Sequence, residues 1–129
     1  LSERVHFPGY VSGDDYVGMV KAFDTKVFLV PGSDGTCRAV REAMSMGKPA
    51  VVSDRGMLPE IVKDGVDGFV CDGSPKGLFT ALQQLAMNPA RCAQMGRAAH
   101  DKAVTTFSPD AQARAVREGY EIVLGIQRH

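Results

Sequence analysis

Gly32-Ser33-Asp34-Gly35-Thr36-Cys37-Arg38-Ala39-Val40-Arg41-Glu42-Ala43-Met44 is the stretch whose reading decides the fold. The apolar run Val27-Phe28-Leu29-Val30 leads straight into it and reads as a strand, which Pro31 and Gly32 stop. Ala39, Val40, Ala43 and Met44 then recur at helical spacing, so a helix follows at once, and Gly47 suits its C′ end. The predicted unit is strand, small-residue loop, helix. The N-terminus of such a helix exposes unpaired N–H groups and partial positive charge, which attract anions. Asp34 lies in the loop and Glu42 about two turns into the helix, on the order of 10 Å away. Two plain readings stand beside any binding role. Asp34 is a suitable helix cap, and Glu42 is placed to pair with Arg38 at i, i+4 on a solvated face.

Outward from this unit the chain alternates. Arg4-Val5-His6-Phe7 reads as a short strand closed by Pro8-Gly9. Asp14 or Ser12 can cap a helix carrying Tyr16, Val17, Met19, Val20 and Phe23. Val27 to Val30, apolar throughout, is expected to be a central parallel strand covered on both faces. Ala50-Val51-Val52 reads as another buried strand, Leu58 to Val62 as a short helical turn, and Phe69-Val70-Cys71 as a last strand. Ser74-Pro75, Asn88-Pro89 and Ser108-Pro109 each open a helix. The first of these carries Leu78, Phe79, Leu82, Leu85 and Ala86. The last carries Val116, Tyr120, Val123 and Leu124, an apolar face that must be buried on its own sheet or on a second copy. Strands alternating with helices predict an α/β fold, a Rossmann-like three-layer parallel sheet with its ligand site beyond the carboxyl ends of the strands.

Composition narrows the function. The chain has 129 residues, 44% of them hydrophobic, which fits one domain over residues 1–129. With 15 basic and 15 acidic residues the formal charge is zero, which argues against a nucleic-acid partner. No apolar run reaches the ~18 residues of a membrane-spanning helix. Leu1-Ser2-Glu3-Arg4 has neither the basic nor the apolar region of a signal peptide and no initiating Met, so a piece of a longer cytoplasmic chain is expected. Cys37, Cys71 and Cys92 form no close pair, suit a reducing compartment and give no metal-ligand spacing. His6, His100 and His129 are scattered.

From Asp34 onward the sequence resembles the family 4 glycosyltransferases of the GT-B fold. Their pattern is an acid, seven residues, Glu, then Ala-Met-x-x-Gly-x-Pro-Val-Val and a Gly-x-x-x-Glu turn. It is matched here by Asp34, Glu42, Ala43-Met44-Ser45-Met46-Gly47-Lys48-Pro49-Ala50-Val51-Val52 and Gly56-Met57-Leu58-Pro59-Glu60. Asp64-Gly65-Val66-Asp67-Gly68-Phe69-Val70, Phe7-Pro8-Gly9-Tyr10-Val11 and Phe107-Ser108 fit the same order. The resemblance implies most of the C-terminal, donor-binding domain of such an enzyme, without the N-terminal acceptor domain. It also implies transfer of a hexosyl-type sugar from a nucleotide-sugar such as a UDP- or GDP-sugar to a glycan or lipid acceptor, as in polysaccharide biosynthesis. The full-length protein would then be cytoplasmic or peripheral to a membrane, and the isolated piece inactive.

Carried over residue by residue, Asp34, Gly35, Thr36 and Cys37 would bind the donor sugar, Glu42 the ribose hydroxyls, and Tyr10-Val11 would lie near the base. The span from Asp34 to Glu42 suits a diphosphate between sugar and ribose. The resemblance implies no metal and no further cofactor, and it leaves the catalytic residues unassigned. Arg38 and Arg55 are nearby cations, and Arg38 is the one expected in the vicinity of the phosphates.

The chain departs from the pattern where Asp34 replaces the usual Glu and where Gly35-Thr36-Cys37 stands for Gly-Phe-Gly. Both changes bear on which sugar is held. Cys37 has two readings, a thiol with its pKa lowered by the helix start or a simply buried side chain. Two other classes fit the length and pattern: a non-catalytic Rossmann-like binding or assembly module, and a receiver-type signalling domain. The second needs acids directly after the first strand, and Asp14-Asp15 look like caps instead. Homodimer formation is a further expectation.

Overall fold

The computed structural model describes residues 2–31, 33 and 35–125. After a 3-10 turn at Ser2–Arg4 come α1 (Gly13–Ala22), β1 (Lys26–Phe28), α2 (Arg38–Ser45), β2 (Ala50–Ser53), α3 (Leu58–Ile61) and β3 (Gly68–Cys71). Three consecutive helices follow: α4 (Pro75–Met87), α5 (Pro89–Thr106) and α6 (Pro109–Leu124). The strands form a parallel sheet in the order β1-β2-β3, with Val27 opposite Val51 and Val51 opposite Phe69. Both faces are covered, as the Rossmann-like three-layer reading requires. Ala50 and Val52 face a core with Cys37, Val40, Met44, Leu58, Ile61 and Ala99. Val51 faces the other way, toward Phe69, Ala81, Leu85 and Met95. Alternate residues of one strand thus feed two cores, which is the period of a pleated strand at work.

Two strand expectations need correction. Arg4 to Phe7 form no strand: residues 5–9 run without regular structure and Phe7 is 92% exposed. A strand exists only where a neighbour completes its ladder. In a doubly wound sheet three sequential strands on one side of the switch point lie side by side, while the strand just before them in sequence belongs to the far edge. Residues 4–7 therefore have no partner within reach of β1. The stretch from Val27 to Val30, in turn, is not central. Its regular part is Lys26–Phe28 at the sheet edge, with Val27 38% and Val30 63% exposed. The strand buried along its whole length is β2.

The helix boundaries follow local chemistry. Gly47 adopts a φ of 74°, its N–H donates to the Met44 carbonyl (2.9 Å) and the Lys48 N–H reaches the Ala43 carbonyl (3.0 Å). That is a Schellman closure, which an L side chain at residue 47 would strain. Ser74 Oγ accepts from Gly77 N (3.0 Å), Asn88 Oδ1 from Arg91 N (2.9 Å) and Ser108 Oγ from Ala111 N (3.2 Å), each followed by a helix-starting proline. Ser12 holds the N-cap position of α1 without a side-chain cap bond. On α4 the buried stripe is Leu78, Ala81, Leu82 and Leu85. Phe79 sits one residue off that stripe, rotated away by ~100°, and is exposed. No residue of α6 is buried, and Val116, Tyr120, Val123 and Leu124 all face solvent rather than the sheet.

Candidate functional site

The carboxyl end of the sheet is where α2 begins, and Glu42 stands on that helix one turn inside its start. Its side chain is 39% exposed and is held from two sides. Tyr16, on the first turns of α1, donates its phenol O–H to Glu42 Oε2 at 2.8 Å. Arg38 Nε lies 3.8 Å from Oε1, the i, i+4 pair that the sequence allowed. Arg38 is 80% exposed, so solvent screens that pair. Burial first, and then the Glu42 carboxylate beside it, push the Tyr16 phenol above its ordinary value of 10.0. Tyr16 therefore remains a donor through neutral pH. In sequence Tyr16 shows only as an apolar residue of α1, because no local pattern signals a partner 26 positions away.

The loop between β1 and α2 is tied by short bonds. Thr36 Oγ1 accepts from Ser33 N (2.7 Å) and Cys37 N donates to the Ser33 carbonyl (2.9 Å). Asp34, the expected sugar-binding acid, lies outside the described residues, as does Gly32. Gly35 and Thr36 are exposed at the helix start. The Cys37 side chain is fully buried in the core beside Val40 and Met44, so any contact of Cys37 with a ligand runs through its main chain. Tyr10 is 95% exposed and Val11 half-buried, both just ahead of α1. The structure thus brings Glu42, Arg38 and Tyr16 together. It places Tyr10-Val11 on the segment that leads into the same helix as Tyr16.

A cavity of about 980 Å³ opens at the opposite, amino end of the strands, lined by Phe23, Lys48, Leu82, Leu85, Cys92 and His100 among others. Three of its polar side chains already bond to main-chain carbonyls. His100 Nδ1 donates to the Ser45 carbonyl (2.8 Å), Thr25 Oγ1 to Pro49 O (2.8 Å) and Cys92 Sγ to Asp24 O (3.6 Å). Ligands of parallel α/β sheets bind at the carboxyl ends of the strands, so size alone does not make this cavity the site. Among the described residues no helix is long and apolar enough to cross a membrane.

Comparison with known proteins places the chain in one family. The family model described as glycosyl transferases group 1 matches residues 1–102, and the chain belongs to that family. A D-inositol 3-phosphate glycosyltransferase of Mycolicibacterium vanbaalenii is 36% identical over 123 residues, covering 93% of this chain and 26% of that protein. The amylovoran biosynthesis glycosyltransferase AmsK of Erwinia amylovora is 28% identical over 103 residues, covering 74% of this chain and 25% of its own length. Among solved structures, sucrose-phosphate synthase from Thermosynechococcus elongatus superposes with a TM-score of 0.75 at 22% identity. That match covers 97% of this chain and 31% of the synthase, and shows the shared fold. The chain spans about a quarter of the length of these two glycosyltransferases.

Proposed function

We propose that this chain is the donor-holding part of a glycosyltransferase that moves a sugar from a nucleotide-sugar to an acceptor, and that Glu42 receives the ribose hydroxyls. The observation that supports this most is the position of the Glu42 carboxylate. It is half-exposed at the carboxyl end of the sheet, with one oxygen fixed by Tyr16 and lone pairs to spare. A carboxylate accepts from two vicinal hydroxyls at once, which is the chemistry that a ribose diol asks for. The start of α2 faces the adjoining loop, where Gly35 and Thr36 are exposed, so the diphosphate and sugar extend from Glu42 toward that loop. Arg38 adds a cation on the same helix. Tyr10 and Val11 flank the base. Nucleotide and sugar are the ligands in this reading, and no step in it requires a metal.

Glu42→Ala is expected to weaken binding of UDP or GDP, whichever the chain prefers, by about ten- to a hundredfold. Each lost charge-assisted bond is worth roughly 1.5–3 kcal/mol at most, and partial exposure lowers that. Titration calorimetry of both proteins measures it. Equal affinities would make Glu42 a plain surface residue of α2 and end the reading.

A further inference from the structure

We infer that Tyr16 is a positioning residue of the nucleotide site, holding the Glu42 carboxylate in the one orientation that offers its remaining lone pairs to a ribose diol. The inference rests on the reading of Glu42 as the ribose acceptor. Its support is geometric. A glutamate on an exposed helix face samples several rotamers, and fixing it at the moment of binding costs entropy. The Tyr16 O–H···Oε2 bond of 2.8 Å settles that cost beforehand. Arg38 does not do so, because its longer contact at 3.8 Å comes from an 80% exposed side chain. A carboxylate offers about four acceptor positions, and the phenol occupies one of them on Oε2. Apart from the long Arg38 contact on Oε1, the rest stay open on a side chain that is 39% exposed.

The same bond joins two elements that otherwise meet little. The only buried residue of α1 is Val20, near its far end, whereas Tyr16 reaches across to α2 from the early turns. The segment Tyr10-Val11 enters α1 directly through Ser12. Tyr16 therefore sets the position of the base-flanking segment relative to the carboxylate, so that base and ribose are read together.

The test compares wild type, Tyr16→Phe and Glu42→Gln for binding of UDP and GDP and of their 2′-deoxy counterparts, alongside thermal melting of each. Phenylalanine keeps the ring and removes only the O–H donor. Wild type is expected to prefer the ribonucleotide, and Tyr16→Phe to weaken it about five- to tenfold, the value of one hydrogen bond. The deoxynucleotide should change much less, so the preference narrows. A Tyr16→Phe protein that weakens both nucleotides equally, or neither, overturns the positioning role while Glu42→Gln still reports the ribose contact. A wild type that binds ribo- and deoxynucleotide alike, or binds neither, overturns the ribose reading of Glu42 and this inference with it.

Discussion

Gly68→Ala is expected to destabilise the chain by on the order of 3 kcal/mol or more. A Cβ at residue 68 would collide with the main-chain carbonyl oxygen of Ala50 and stand 2.9 Å from Val62 Cγ1. Neither neighbour has room to retreat. Ala50 belongs to the central strand and is paired on both sides, to Lys26 and to Gly68 itself. Val62 is 1% exposed and packed in the core. Relief would require β3 to move off β2, and that would also break the ladder pairing Ala50 with Gly68 and Val51 with Phe69. Urea denaturation measures the loss, seen as a lower midpoint at similar slope. A midpoint equal to wild type would show that the two strands part without penalty, and the close approach would then carry no energetic weight.

Asp67 is the second position where a large effect is expected. Its side chain is 4% exposed, Oδ1 accepts from Lys63 N (2.7 Å) and Oδ2 lies 3.3 Å from Lys102 Nζ. Lys102 is 25% exposed and also donates to the Ile61 carbonyl at 2.6 Å. The carboxylate and Lys102 together clamp the turn before β3, the end of α3 and the C-terminal part of α5. Asp67→Ala strands the Lys63 N–H and leaves an ammonium half-paired, at a cost of about 2–4 kcal/mol. Lys102→Met leaves a nearly buried carboxylate without its counter-charge and is also destabilising. The double variant is expected to cost less than the two single losses added, by about 1–3 kcal/mol. Denaturation of all four proteins closes that cycle. Strict additivity would show that the two charges act independently.

How much of this was legible in the sequence depended on the range of the interactions. Caps are local, so Ser74-Pro75, Asn88-Pro89 and Ser108-Pro109 announced α4, α5 and α6, and each cap bond is present. Gly47 was equally plain, because its left-handed conformation is a property of one residue. The run Ala50-Val51-Val52 was legible as buried, since a strand covered on both faces has no polar face to alternate. Position in the sheet was not. Val27 to Val30 has the same apolar character but lies on an edge, and Arg4 to Phe7 has strand-forming residues without a ladder partner. Of the candidate site, the strand-loop-helix frame and Glu42 could be read from the chain. Tyr16 could not, because a phenol meeting a carboxylate 26 positions later leaves no periodic trace.

Helix α5 lies across the end of both packed layers. Met95 enters the core that contains Val51 and Leu85, while Ala99 and Ala103, farther along the same helix, enter the core that contains Val52 and Leu58. Neither layer can open without tearing that helix from the other. The two halves of the interior are therefore expected to melt together as a single cooperative unit. One denaturation curve, followed by helix signal or by burial of either layer, should give one midpoint. A substitution on one face, such as Gly68→Ala, is then felt equally by residues on the other that it never touches.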